Sequence, residues 1–429
     1  MTSSAAGSAA VSLQTRLWHP FAAMSAVQGN ELVITRAEGV WLYDEDGKRY
    51  LDATAALWYV NVGHGREEIA EAVAEQMKRL ASYQIFDVFA NRPALELADR
   101  LTQLAPLGDG SAAFFTSGGG SDAIDTAAKI ARRYWIVRGE PERTIIVARS
   151  GAYHGMNGYG TSLAGIEPNH SGWGPLVGDI VHVDRFDLEG LERVLQENRG
   201  AVAAFIGEPI QGAAGVFPPV DGYWEGVQDL LKEHGVLLIA DEVITGYGRT
   251  GKWFASERYD LDADLIVTAK GLSSGYAPIG AVIAGPRVRE VLWSQEAGAF
   301  RHGYTYSGHP AACVAALKNL EIIEREGLVE RVAELEPAFA AKVRELAGHP
   351  LVEEVRTGGL LAGVEISREA RSARPGVVDE IALKARELGV IVRPLVGHSL
   401  QVSPPFVITE EEIAELVGVL RQALDSVDL

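Results

Sequence analysis

Cysteine is almost missing from this chain: Cys313 stands alone among 429 residues. A single cysteine excludes an intramolecular disulfide and a thiolate metal cluster, and it implies a reducing compartment. The ten histidines show neither HExxH nor any other ligand spacing, so no metal is expected. Positive charge is also short, with 39 Lys and Arg against 58 Asp and Glu, a formal net charge of −19 and no basic cluster. Nucleic acid and anionic membrane are therefore poor partners. No apolar run approaches the roughly 20 residues needed to cross a bilayer. The opening stretch "MTSSAAGSAAVSLQTR" lacks a basic start and an apolar centre, and it reads as a tail rather than a signal peptide. These absences lead to the expectation of a cytoplasmic enzyme.

Apolar residues make up 47% of the chain, enough for a large core divided between domains. The middle alternates short apolar runs with helical patterns. The runs are "AAFFT" (112–116), "TIIVA" (144–148), "VAAFIG" (202–207), "VLLIA" (236–240), "LIVTA" (265–269) and "GAVIA" (280–284). They are apolar throughout, as strands covered on both faces are. Amphipathic stretches at 121–138, 187–198 and 222–234 lie between them. The rhythm predicts an α/β fold: a large domain with a mostly parallel sheet, plus a smaller α/β domain. The expected division is an N-terminal segment (1–60) packing with the small domain, a large domain (61–315) and the small domain (316–429). The small domain should hold a helix over 326–347, two strands around Gly358-Gly359, a helix near 377–388, short strands near 390–394 and 400–403, and a closing helix near 410–425. Asp46-Gly47 predicts a hairpin near the start.

Ligands of open α/β sheets bind beyond the carboxyl ends of the strands, so the residues after each run matter most. "AAFFT" is followed by "SGGGSDAID", a glycine-rich entry to a helix that could hold an anion or could be a tight turn. Asp122 and Asp125 there should turn away from any phosphate. Tyr153 and His154 follow the second run, where an aromatic could stack on a flat ring. Glu208 follows the third. Asp241 ends the fourth, the most apolar, and should have a cationic partner. Lys270 follows the fifth; a buried ammonium is expensive unless something uses it. Gly246, Gly248 and Gly251 fit the dinucleotide pattern G-x-G-x-x-G, but no helix opens there. Trp253 stands where a phosphate-binding loop would need Ser or Thr.

Pyridoxal 5'-phosphate would use all of these groups. Its aldehyde needs a lysine for a Schiff base, and its pyridine nitrogen needs an anion to stay protonated. Its ring needs a clamp, and its phosphate needs a glycine-rich helix start.

The segment "LLIADEVITGYGRTGKWFASERYDLDADLIVTAKGLSSGYAPIGAVIAG" (237–285) resembles the signature of class III (subgroup II) pyridoxal-phosphate aminotransferases of fold type I. The resemblance runs from about Trp18 to Phe406. "ALWYVNVGHG" (56–65), "HGYTYSGHP" (302–310) and "VRPLVGHSLQVSPPF" (392–406) look most like the omega-amino acid and amine:pyruvate transaminases. The resemblance implies that Lys270 forms the Schiff base and shuttles the proton, while Asp241 pairs with the pyridinium. It places Tyr153, beside His154, on one ring face and Val243 on the other. Gly119, Gly120 and Ser121 would hold the phosphate, an assignment open by one position among Gly118 to Ser121. Glu208 would hold neighbouring side chains. Trp58 and Phe86 would line the substrate pocket together with Tyr153, and Arg393 would bind the substrate carboxylate. Thr305 would reach the phosphate of a neighbouring subunit, making a homodimer, or a pair of dimers, with shared sites.

The chain departs from the family at Ile244, where many members carry Gln, and in the stretch between Arg393 and Pro404, which is longer by a residue. The activity implied is transfer of an amino group from a primary amine or omega-amino acid to a keto acid such as pyruvate, with two substrates alternating on one site. An aminomutase or a dialkylglycine-type decarboxylase on the same fold, and more remotely a nicotinamide-dependent dehydrogenase, are the alternatives.

Overall fold

A computed structural model describes residues 16–427, so the opening tail, apart from its last residue, lies outside the described residues. The chain begins with β1 (Ile34–Glu38), β2 (Trp41–Asp44) and β3 (Arg49–Asp52), an antiparallel set. The β2–β3 turn is the expected hairpin, with Gly47 at φ 80°, a conformation open to glycine.

The central sheet contains β4 (Ala112–Thr116), β5 (Ile145–Arg149), β6 (Ile180–Val183), β7 (Val202–Gly207), β8 (Leu237–Asp241), β9 (Leu265–Thr268) and β10 (Gly280–Ala284). Their spatial order is β4-β10-β9-β8-β7-β5-β6. Only β10 runs antiparallel, pairing with both β4 and β9. The strands are apolar because helices cover both faces: every residue of β7, β8 and β9 is buried. Helices Gly120–Val137, Leu188–Glu197 and Tyr223–His234 fall where the amphipathic stretches predicted them.

β11 (Val352–Thr357), β12 (Ala362–Ile366), β14 (Arg393–Leu395) and β15 (Ser399–Val402) form a third sheet, ordered β11-β12-β15-β14. Between them in sequence, β13 (Val390–Ile391) adds to β3 in parallel, pairing Val390 with Leu51. The N-terminal and C-terminal parts therefore share a sheet. Helix Pro310–Arg325 runs across residue 316 without a break. The closing helix Glu410–Asp425 starts at a reciprocal cap, in which Thr409 Oγ1 accepts from the Glu412 N–H and Glu412 accepts from the Thr409 N–H. Among the described residues, no helix is long and apolar enough to cross a membrane.

Because β4, β5, β7, β8 and β9 are parallel, their carboxyl ends share one edge. Residues 117–121, 153–154, 208, 241 and 270 follow those ends. Chemistry-bearing side chains from distant parts of the sequence meet there through topology alone.

Candidate active site

A cavity of about 400 Å³ opens at this edge. Lys270, Asp241, Glu208, Tyr153, His154, Gly120, Ser121, Val243, Trp58 and Arg393, all singled out from sequence, line it. Gly119 stands one residue outside, at the N-cap of helix Gly120–Val137, with φ 134°. Phe86 and Thr305 do not line it. Both are exposed, and the Phe86 ring lies beside Gly303.

Lys270 follows β9 in a left-handed backbone conformation (φ 46°) and opens a short 3-10 turn. Burial pushes its amine down to about 8, against the pull of the Asp241 and Glu208 carboxylates; Arg393 pushes the same way as burial. Asp241 ends β8, buried, and one of its oxygens lies 2.7 Å from His154 Nδ1. Its other oxygen accepts the Val243 N–H at 3.1 Å. Where a cationic partner is expected for Asp241, the structure sets an imidazole, itself buried, whose Nε2 has no hydrogen-bond partner among the described residues.

Glu208 accepts from the Tyr153 N–H at 3.1 Å and from the Gly212 N–H at 2.9 Å, fixing the loops that follow β5 and β7. Burial raises its carboxyl against the influence of His154. Tyr153 is raised by burial and eased by Arg393, and Arg393 is lowered by burial and eased by Tyr153, so the two face each other electrostatically. Among the described residues, no carboxylate pairs with Arg393.

The glycine-rich entry is built for an anion. Asp122 turns away, accepting the Gly118 N–H at 2.6 Å and a proton of the Asn157 amide at 2.9 Å. Asp125 accepts the Gly160 N–H. With Gly118 engaged, the helix amides left without intrahelical acceptors are those of Gly120, Ser121 and Asp122. A Cβ on Gly120 would lie 3.0 Å from Val243, and one on Gly280 would lie 2.4 Å from the Gly119 carbonyl oxygen, so both glycines keep this loop close to the cavity.

The nucleotide-like glycines do something else. Residues 243–250 form turns, and a Cβ on Gly248 would meet the Phe406 ring at 2.9 Å. That segment opens no helix, and the dinucleotide pattern there is a packing device.

Sequence reasoning missed part of the cavity wall. Phe21, Leu57, Ile166, Pro168, Asn169, Ala213 and Val396 also line it. Most sit in irregular loops with no motif; Leu57 and Val396 are close neighbours of Trp58 and Arg393, the only signal available. Ile244 also faces the cavity, within an apolar cluster with Trp58 and Leu395.

The class III aminotransferase family profile matches residues 23–424. The chain belongs to that family. It is 40% identical over 417 residues to the putrescine–pyruvate aminotransferase of Pseudomonas aeruginosa, covering 92% of this chain and 90% of that one. It is 36% identical to a mitochondrial gamma-aminobutyrate transaminase of rice, covering 92% and 82%. The crystal structure of an (S)-enantioselective omega-transaminase from Thermomicrobium roseum superposes with a TM-score of 0.90 at 39% identity, covering 95% of each chain. The protein is therefore an aminotransferase that depends on pyridoxal 5'-phosphate and moves an amino group between an amine and a keto acid. The residues present fit that cofactor: a depressed lysine, a buried carboxylate, an unpartnered imidazole nitrogen and a glycine-lined helix start face one cavity.

Proposed function

We propose that the enzyme takes the amino group from a primary amine or omega-amino acid and delivers it to pyruvate, with Arg393 holding the substrate carboxylate. The observation that carries this is Arg393 itself: half-buried in the cavity wall, with no carboxylate of its own and apolar neighbours in Trp58, Leu395 and Ile244. Relatives named for putrescine with pyruvate and for gamma-aminobutyrate point to the same substrate class.

When bound, pyridoxal phosphate supplies the aldehyde and the electron sink. Lys270 is the group that holds the aldehyde and later moves the proton at the substrate's amine-bearing carbon; an amine near 8 is deprotonated often enough to act as a base at neutral pH. Asp241 would keep the ring nitrogen protonated, and His154 orients Asp241 through the 2.7 Å contact. Tyr153 and Val243 would clamp the ring, and Gly119, Gly120 and Ser121 would hold the phosphate. Glu208 fixes the loops on which Tyr153 sits.

The working unit in this reading is a homodimer. Phe86 and Thr305 do not line their own cavity, and Tyr83, Val88 and Phe89 beside Phe86 are exposed too, which supports their serving the partner's site. The N-terminal segment 1–60, the large domain 61–315 and the small domain 316–429 form the three parts, with β13 on β3 joining the first and last. The compartment proposed is the cytoplasm.

A panel of amines with pyruvate, read as alanine formed, tests the reading. Arg393→Ala is expected to raise KM for pyruvate and for omega-amino acids roughly ten- to a hundred-fold. The half-reaction with a carboxylate-free amine should keep most of its rate. Equal losses with both kinds of donor would assign the carboxylate to another residue.

A further inference from the structure

Asp52 lies outside the cavity, fully buried at the end of β3, yet its carboxylate is the most heavily used in this part of the chain. One oxygen accepts the Thr54 N–H at 3.0 Å and the Thr54 hydroxyl at 2.8 Å. The other accepts the Ala56 N–H at 2.7 Å and lies 2.9 Å from His64 Nε2. The turn it grips is unusual. Ala55, Ala56 and Trp58 have φ of 46°, 57° and 69°, three left-handed residues that are not glycine within four positions. Ala56 has ψ −82°, and Leu57 between them has φ −136°. A backbone so far from its preferred regions persists only where the surroundings dictate it.

The same turn carries Leu57 and Trp58 into the cavity wall. Trp58 is 2% exposed and packs with Ile244 and Leu395. A second hold comes from the opposite side. The Gln401 amide and the Ser403 hydroxyl both donate to the Thr54 carbonyl at 3.3 Å, and the Ser403 N–H donates to Ala53 at 2.7 Å. Gln401 is the residue of β15 paired across the sheet with Arg393. One hydrogen-bonded network therefore ties the Trp58 turn to the strand carrying Arg393.

We infer that Asp52 is a positioning residue for substrate choice: its carboxylate holds the strained 54–58 turn so that Trp58 forms a rigid wall limiting the size of the amine donor. This rests on the reading of Trp58 as a substrate wall. An aspartate is needed because four donors converge on two oxygens. An asparagine keeps the shape but turns one acceptor into a donor, so at least one turn N–H loses its partner. The turn then relaxes, and the wall yields to bulky donors.

The test uses the holoenzyme with pyruvate and two donors, 2-aminobutane and the bulkier 1-phenylethylamine. Asp52→Asn is expected to raise the bulky-to-small ratio of kcat/KM by about five- to ten-fold. Thr54→Val, a milder change that removes one of the four donors, should shift it in the same direction by less. In a Trp58→Ala background, Asp52→Asn should leave the ratio unchanged within about two-fold, because the wall it positions is gone. Equal loss for both donors, or a full additional shift in the Trp58→Ala background, would overturn the proposal. If Trp58→Ala moves the ratio and neither Asp52→Asn nor Thr54→Val does, the proposal falls alone. If Trp58→Ala itself leaves the ratio unmoved, the wall reading falls and takes the proposal with it.

Discussion

Lys270 combines two unfavourable features, a left-handed backbone and an amine stripped of water. The backbone alone costs about 1–3 kcal/mol. It is held from outside: the buried Asn319 side chain on helix Pro310–Arg325 donates to the Gly271 and Leu272 carbonyls at 2.8 and 2.9 Å, locking the turn that Lys270 opens. The consequence is chemical. A lysine ordinarily stays protonated until about pH 10.4, whereas burial brings Lys270 down to about 8. Below pH 8 the ammonium dominates and is unreactive; above it the free amine dominates. Trace labelling of the apoenzyme with an amine reagent, followed by mass spectrometry of the peptide, should show Lys270 reactivity rising through about pH 8 and levelling off by pH 9. Lys270→Ala should remove the labelled site. A midpoint near 10 for Lys270 would mean that the cavity does not depress it.

The loops after the strands show how far an element can be read from residues alone. Lys270 and Asp241 are legible because each follows a run with no charged residue, where a charge needs a reason. The same logic could not find β6, whose "IVHV" is short and interrupted by His182. Nor could it find the reversed direction of β10, since "GAVIA" is as apolar as its parallel neighbours and hydropathy carries no direction. The 54–58 turn is hidden for a different reason: alanines give no hint of positive φ, and the Asp52 hydrogen bonds that accompany it come from the folded chain. Gly120 lies between these cases, visible as a glycine at a helix start while its contact with Val243 was not. That contact yields a prediction. Gly120→Ala would press a methyl against Val243 Cγ1 and Cγ2 at 3.0 and 3.2 Å, and Val243 can yield only by moving within the cavity wall. The strain is expected to be about 1–2 kcal/mol, weakening pyridoxal phosphate binding roughly ten-fold in a titration of apoenzyme. Gly120→Ala should therefore cost less affinity in a Val243→Ala background than in the wild-type chain, because the side chain it presses on is gone. An equal cost in both backgrounds would locate the damage in the helix start itself.

At the scale of the whole molecule, the loop carrying Thr305 is anchored at both ends and presented outward. His302 Nε2 lies 2.8 Å from the Thr126 hydroxyl and its ring stacks on Phe114, while the Asn91 amide donates to the Gly308 carbonyl at 2.8 Å. Thr305 is exposed between these anchors and does not line the cavity that holds its own Lys270. An exposed loop anchored at both ends would suit the proposed residue that completes the site of a second copy, and symmetry would then give such a dimer two composite sites. Complementation distinguishes this from a site built within one chain. Lys270→Ala and Thr305→Asp should each abolish most activity, the first by removing the amine and the second by setting a carboxylate against the phosphate. In a heterodimer of the two variants, a shared arrangement places both lesions in one site and leaves the other intact. Mixing, dissociating and reassociating equal amounts of the two proteins should therefore recover roughly a quarter of wild-type activity, since about half the dimers are mixed and each has one good site. If Thr305 serves its own chain, every site in the mixture carries one lesion and activity stays at the level of the single variants.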